Sequence, residues 1–186
     1  MIPKSIEHLT KSQFASFRQA YNTLKNNYEN GIWFESNEDK RAITRTYYMQ
    51  CKSFNSGFIS NSAWLAKQKG VSPCFEHSNL PQPYCYFIMK NWNSIGESFE
   101  TFFPHWITSS TGLYVTSKEN TKLSKYTINN NSTGNTLKVT VPLFERYKKA
   151  KIIILDAVTL KEVDFDSVTK NFDMRYCEFE KKELLI

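Results

Sequence analysis

The sequence predicts an α+β fold, with a mostly helical N-terminal half and small mixed strands toward the C-terminus. Three observations lead there. Helix-start signatures followed by apolar residues at spacings of three and four fill the first 70 residues. Short strand-like runs come after them, and Asn, Gly and Pro clusters punctuate the second half.

Thr10 and Gln13 form a capping-box pattern, and Phe14, Phe17, Tyr21, Leu24 and Tyr28 then recur on one helical face until Gly31 stops the helix. Such a stripe is read as core packing, with an aromatic binding surface as the other reading. Ser36 with Asp39 repeats the start signal for a second helix carrying Arg41, Ile43, Arg45, Tyr47 and Tyr48. Ser60 or Asn61 caps a third, which carries Ala63, Trp64, Leu65 and Ala66 and ends at Gly70.

Val71 to Phe75 reads as a short strand that delivers Glu76 and His77 to its end. Leu80-Pro81-Gln82-Pro83 is expected to be a rigid loop that excludes a helix until about Tyr84. Tyr84 to Trp92 and Glu97 to Trp106 read as helical or irregular, and Leu113 to Thr116 as a second short strand. Thr116 or Ser117 then caps a helix through Lys118, Glu119, Asn120, Leu123 and Lys125. Past the turn-rich stretch Asn129 to Asn135, strands are expected at Leu137 to Val141 and Ile152 to Leu155 around a short helix near Phe144 to Lys149, with a final strand at Tyr176 to Phe179.

The 186 residues fit a single domain, 1–186, able to bury its own core. An aromatic content of 15%, with fourteen Phe and ten Tyr, argues for a folded chain despite the Asn- and Lys-rich patches. The formal charge of +6 suits neutralisation of phosphates on a nucleic acid, and serves equally as a solubilising charge. Cys51, Cys74, Cys85 and Cys177 form no C-x-x-C pair, so neither a zinc ribbon nor a redox dithiol motif is written here. The opening Met1-Ile2-Pro3-Lys4-Ser5 is not expected to act as a signal peptide, and no apolar run reaches membrane-spanning length. A cytoplasmic protein with reduced thiols and no membrane association is expected. No phosphate-binding glycine loop and no Gly-x-Ser-x-Gly elbow is present.

Two stretches carry chemistry. Cys74-Phe75-Glu76-His77-Ser78-Asn79-Leu80-Pro81 sets a carboxylate beside an imidazole, and Leu113-Tyr114-Val115-Thr116-Ser117-Lys118-Glu119-Asn120 leads from a strand into a helix start that bears an amide. Cleavage of a phosphodiester needs an activated water, a Lewis acid at the phosphate and stabilisation of the leaving oxygen. A neutral imidazole is a suitable base near physiological pH, and a carboxylate and an amide oxygen are hard ligands for Mg²⁺.

With these residues the chain resembles the HNH, or ββα-metal, endonucleases over about residues 71–125. In that family an Asp-His or Glu-His pair ends the first strand of a hairpin, and a Val-Thr-x-x-x-Asn segment runs from the second strand into the helix. Val115, Thr116 and Asn120 match residue for residue. The resemblance implies an embedded ββα-metal motif with His77 as general base, and Glu76 and Asn120 as ligands for Mg²⁺ or Mn²⁺. It implies a DNA endonuclease, such as a type II restriction or homing enzyme, dimeric where its site is palindromic. DNA backbone contacts then fall to Arg41 and Arg45 on the second helix and to Lys118, Lys122 and Lys125 beside the metal ligand.

The chain departs from the pattern in two ways. The middle Asn that steadies the base in the family has no counterpart in Ser109-Ser110-Thr111, leaving Asn79, Asn91 or Asn93 as candidates. The insertion from Ser78 to Ile107 is also longer than a compact hairpin loop.

Competing readings remain at other positions. Glu180-Lys181-Lys182, with Asp164 or Asp166 upstream, has the form of a PD-(D/E)xK nuclease site, in which Asp166 and Glu180 hold the metal and Lys182 assists the water; a charged tail also generates this triplet by chance. A Cys74 and His77 nucleophilic pair is disfavoured by strand alternation, which turns Cys74 and Glu76 one way and Phe75 and His77 the other. His8 lies near the terminus, and His105 is expected to be packed among aromatics. The alternative to a nuclease is a non-catalytic nucleic-acid- or partner-binding protein of the phage inhibitor or immunity type.

Overall fold

A computed structural model describes residues 4–78, 81–124, 128–130, 137–139 and 145–164. In chain order its α-helices are α1 (Lys11–Glu29), α2 (Asn37–Gln50), α3 (Asn61–Gln68), α4 (Pro81–Lys90), α5 (Trp92–Ile95), α6 (Phe99–Ser110), α7 (Ser117–Leu123) and α8 (Glu145–Lys149). The strands are β1 (Phe54–Ser60), β2 (Cys74–His77), β3 (Thr111–Val115), β4 (Ile128–Asn130), β5 (Leu137–Val139) and β6 (Ile154–Asp156). The fold is mixed α+β. The strand expected at Tyr176 to Phe179 lies outside the described residues, as does Cys177.

The chain divides into two compact units. One combines residues 1–54 with residues 80–111; the other combines residues 55–79 with residues 112–186. The long insertion after Ser78 is therefore the second half of the helical unit.

In the helical unit, Thr10 and Gln13 make the reciprocal capping box that starts α1. Phe17, Ala20, Tyr21 and Leu24 form the buried stripe of this helix. After α1 the backbone turns through Gly31 at φ +73°, a left-handed conformation that suits glycine. Ser36 caps α2, whose Ile43, Thr44, Tyr47 and Gln50 face inward. The core is aromatic: the Phe17 ring sits 5.3 Å from Trp106 and 5.7 Å from Phe102, and Tyr21 meets Phe99 edge-on at 4.7 Å. The first-helix stripe is thus core rather than binding surface.

The proline-rich stretch differs from the sequence expectation, because α4 begins at Pro81. Pro81 occupies the first helical position and Pro83 the first turn, where the missing N–H costs no intrahelical bond. A proline pair here starts a helix instead of delaying one. Ser98 and Thr101 cap α6 with a second box.

Buried polar groups of this unit are joined in short chains. The Tyr47 hydroxyl donates to Ser109 Oγ at 2.9 Å, and Ser109 donates in turn to the His105 carbonyl. His105 is packed, its Nδ1 3.1 Å from the Tyr84 hydroxyl. Burial pushes the Cys51 thiol up to about 12 and raises that of Cys85, so neither is a ready nucleophile.

In the second unit, β1, β2, β3 and β6 form a four-stranded sheet in the order β2-β3-β1-β6. β2 runs antiparallel to β3, and β6 antiparallel to β1. β4 and β5 pair in a separate two-stranded sheet. Ser60 caps α3 and Gly70 follows its end, as the sequence indicates. One face of the sheet is covered by Leu123 of α7 and Tyr147 and Ala150 around α8, which pack with Leu113, Val115, Ile152 and Ile154.

Burial lowers the His105 pKa to about 4, so the imidazole is neutral in the folded protein and basic once released. With the folded value below the unfolded one, stability is complete above pH 6.5 and is lost as pH falls toward 4. Its contribution across that window is about 3 kcal/mol. Denaturant titrations of wild type and His105→Asn between pH 7 and 4 should therefore diverge, with the wild type losing more stability; parallel curves would contradict this assignment.

Candidate functional site

β2 and β3 pair over Cys74↔Val115, Phe75↔Tyr114, Glu76↔Leu113 and His77↔Gly112. Strand β2 starts later than the sequence suggests and includes Glu76 and His77 as its last two residues. Immediately after β3, the Thr116 hydroxyl accepts from the Glu119 N–H, and the Glu119 carboxylate accepts from the Thr116 N–H at 2.9 Å. This box starts α7, and Glu119 also accepts from the Ser60 hydroxyl at 2.6 Å, tying the helix start to β1. The local order is strand, antiparallel strand, capped helix.

Opposed residues of an antiparallel pair share a face. Cys74 and Glu76 therefore lie with Leu113 and Val115 on the face that α7 covers. Asn120 precedes Leu123 by three positions, so the two share the side of α7 that Leu123 buries. Asn120 is half-buried on α7, and Glu76 is buried on the sheet face that this helix covers. His77 points to the opposite face, its ring 5.2 Å from that of Phe75, which meets Tyr114 at 5.8 Å. His77 is half-buried and Tyr114 is exposed, so this face is an aromatic strip around an imidazole.

Glu76 is buried, and it is ion-paired. Arg146 Nη2 donates to Glu76 Oε1 at 2.8 Å, and the arginine itself is only 2% exposed. The same Nη2 makes a short hydrogen bond to the His77 carbonyl, and Nε donates to the Ser78 carbonyl at 3.3 Å. Tyr147, beside Arg146 on α8, donates to the Glu76 carbonyl at 3.4 Å. Burial pushes the Glu76 carboxyl above its ordinary value, while the charge and hydrogen bond of Arg146 pull it partway back. Sequence reasoning missed Arg146. It lies 70 positions from Glu76, within a Glu-Arg-Tyr-Lys-Lys run that reads as an ordinary basic helix.

The remaining candidates fall as follows. Lys118 and Lys122 are exposed on α7, and Arg41 and Arg45 are exposed on α2. Cys74 Sγ donates to the Val115 carbonyl at 3.3 Å, on the face away from His77. Asn91 donates to Phe87 O, and Asn93 accepts from the Tyr28 hydroxyl, both within the helical unit. His8 pairs with Ser5. Lys125, Asn79, Asp166, Glu180 and Lys182 lie outside the described residues, and Asp164 is exposed.

Among the described residues there is no group of three or more His, Cys, Asp and Glu side chains placed to hold a metal ion. A carboxylate and an amide oxygen suit Mg²⁺ in donor chemistry, because that ion keeps several waters and takes few protein ligands. Arg146 competes for the same carboxylate. No described helix is long and apolar enough to cross a membrane. Compared with family models, curated proteins and solved structures, the chain matches none.

Gly112, opposite His77, tests how tightly this hairpin is built. A Cβ there would fall 2.0 Å from the Glu76 carbonyl oxygen and 2.7 Å from the Phe75 ring. Gly112→Ala should cost about 1–3 kcal/mol by forcing β2 from β3. Denaturant unfolding measures this, and an unchanged midpoint would contradict the register.

Proposed function

We propose that the protein is a metal-dependent DNA endonuclease of the ββα-metal type. The observation that supports the reading is the hairpin of β2 and β3 running into capped α7, with Glu76 and His77 as the last two residues of β2 and Asn120 on α7. Pairing stops at His77↔Gly112, and a phosphodiester crossing the strand end can be approached from both faces of the sheet. His77 is the general base. Its ring is half-buried, with Nδ1 shielded from solvent.

Glu76 and Asn120 would hold Mg²⁺ or Mn²⁺ through a carboxylate and an amide oxygen. When bound, the cation supplies Lewis acidity at the phosphate and stabilises the leaving oxygen. Lys118 and Lys122 on α7, and Arg41 and Arg45 on α2, supply exposed positive charge for the DNA backbone without reading sequence. A palindromic target would call for a homodimer, as in a type II restriction enzyme.

A second reading is favoured by the Glu76–Arg146 ion pair, which satisfies the carboxylate without any cation. On that reading the protein binds a nucleic acid or protein partner without cutting, in the manner of an inhibitor or immunity factor. Under the nuclease reading, purified protein converts supercoiled plasmid or phage DNA to nicked or linear forms with Mg²⁺ and not with EDTA. His77→Ala lowers the rate by about 100-fold or more while DNA affinity stays within a factor of about three. Intact DNA in every wild-type reaction, with DNA binding retained, selects the binding protein instead.

A further inference from the structure

We infer that Arg146 is a positioning residue for the His77 base, and this inference rests on the nuclease reading. The guanidinium donates to three consecutive residues, namely Glu76 Oε1, the His77 carbonyl and the Ser78 carbonyl. These residues span the point where β2 leaves the ladder, since His77↔Gly112 is its last pair. Beyond that point the sheet offers Ser78 no fixed direction, and an imidazole at the last pair of a fraying strand end loses its aim. Arg146 supplies the fixing from α8. At 2% exposure it is too buried to touch a phosphate, so it acts through His77 and Glu76 rather than on the substrate.

The planar fork is essential to this role. One Nη2 serves the carboxylate and the His77 carbonyl while Nε reaches Ser78, a spread that a single ammonium cannot reproduce. Lysine would preserve the charge opposite Glu76 and abandon part of the carbonyl clamp. Charge and clamp can therefore be separated. The hairpin region Ser109-Ser110-Thr111 brings no amide side chain to the task, and the insertion candidates Asn91 and Asn93 have partners in the helical unit. Arg146, downstream of the hairpin and its helix, does bond this strand end, and the third candidate, Asn79, lies outside the described residues.

The test compares wild type, Arg146→Lys and Arg146→Gln in plasmid cleavage with Mg²⁺, in DNA binding with EDTA, and in thermal unfolding. For both variants kcat should fall at least about 10-fold while KM and DNA affinity change by less than about threefold, with Arg146→Lys melting closer to wild type than Arg146→Gln. A wild-type kcat in Arg146→Lys overturns the inference while leaving the nuclease reading intact. A wild type that cuts no DNA overturns both. Should the variants not fold, NMR of the wild type decides: the Arg146 Nε–H should exchange with solvent at least about 10-fold more slowly than those of exposed Arg41 and Arg45, and equal exchange overturns the clamp.

Discussion

The buried guanidinium of Arg146 is the constraint on which the second unit depends. It neutralises Glu76 inside the layer between sheet and helices, and it satisfies two carbonyls where the β2 ladder runs out. Removing one member of such a pair leaves an uncompensated charge and costs about 3–5 kcal/mol. Glu76 then has two demands upon it. The fold uses its carboxylate to anchor α8, and a divalent cation would use the same group from the side of α7. A carboxylate has two oxygens with lone pairs to offer, so the demands are compatible in number and competitive in charge.

The helical unit meets a different constraint. Its core of Phe, Tyr and Trp rings is gathered from segments on both sides of β1 and β2, so the chain leaves the hairpin after Ser78 to complete it and returns at Thr111. This explains the length of the insertion. The residues between the hairpin strands are committed to a core, with Trp106 fully buried and Tyr84 nearly so.

Much of the local architecture was legible in the sequence because its signals are local. Thr10 with Gln13 brings together both halves of a cap within four residues, Thr116 was one of two cap candidates, and Gly31 and Gly70 mark helix ends by backbone conformation alone. The separation of Glu76 and His77 across the sheet followed from the two-residue period of a strand. Pro81 and Pro83 were misread because a proline excludes a helix interior but not a helix start. Arg146 was illegible for a deeper reason. Its meaning lies in three acceptors some 70 residues away, and no spacing or composition rule links them.

On the proposed nuclease reading, Glu76 and Asn120 together hold a cation beside the strand that ends at His77. Titration of the isotope-labelled protein with Mn²⁺ tests it directly, because a bound paramagnetic ion broadens nearby NMR signals steeply with distance. A site built from these residues gives early, saturable broadening of the Asn120 side-chain amide and the Glu76 and His77 signals, reversed by excess Mg²⁺. Uniform weak broadening, or none at Asn120 at saturating Mn²⁺, would contradict it.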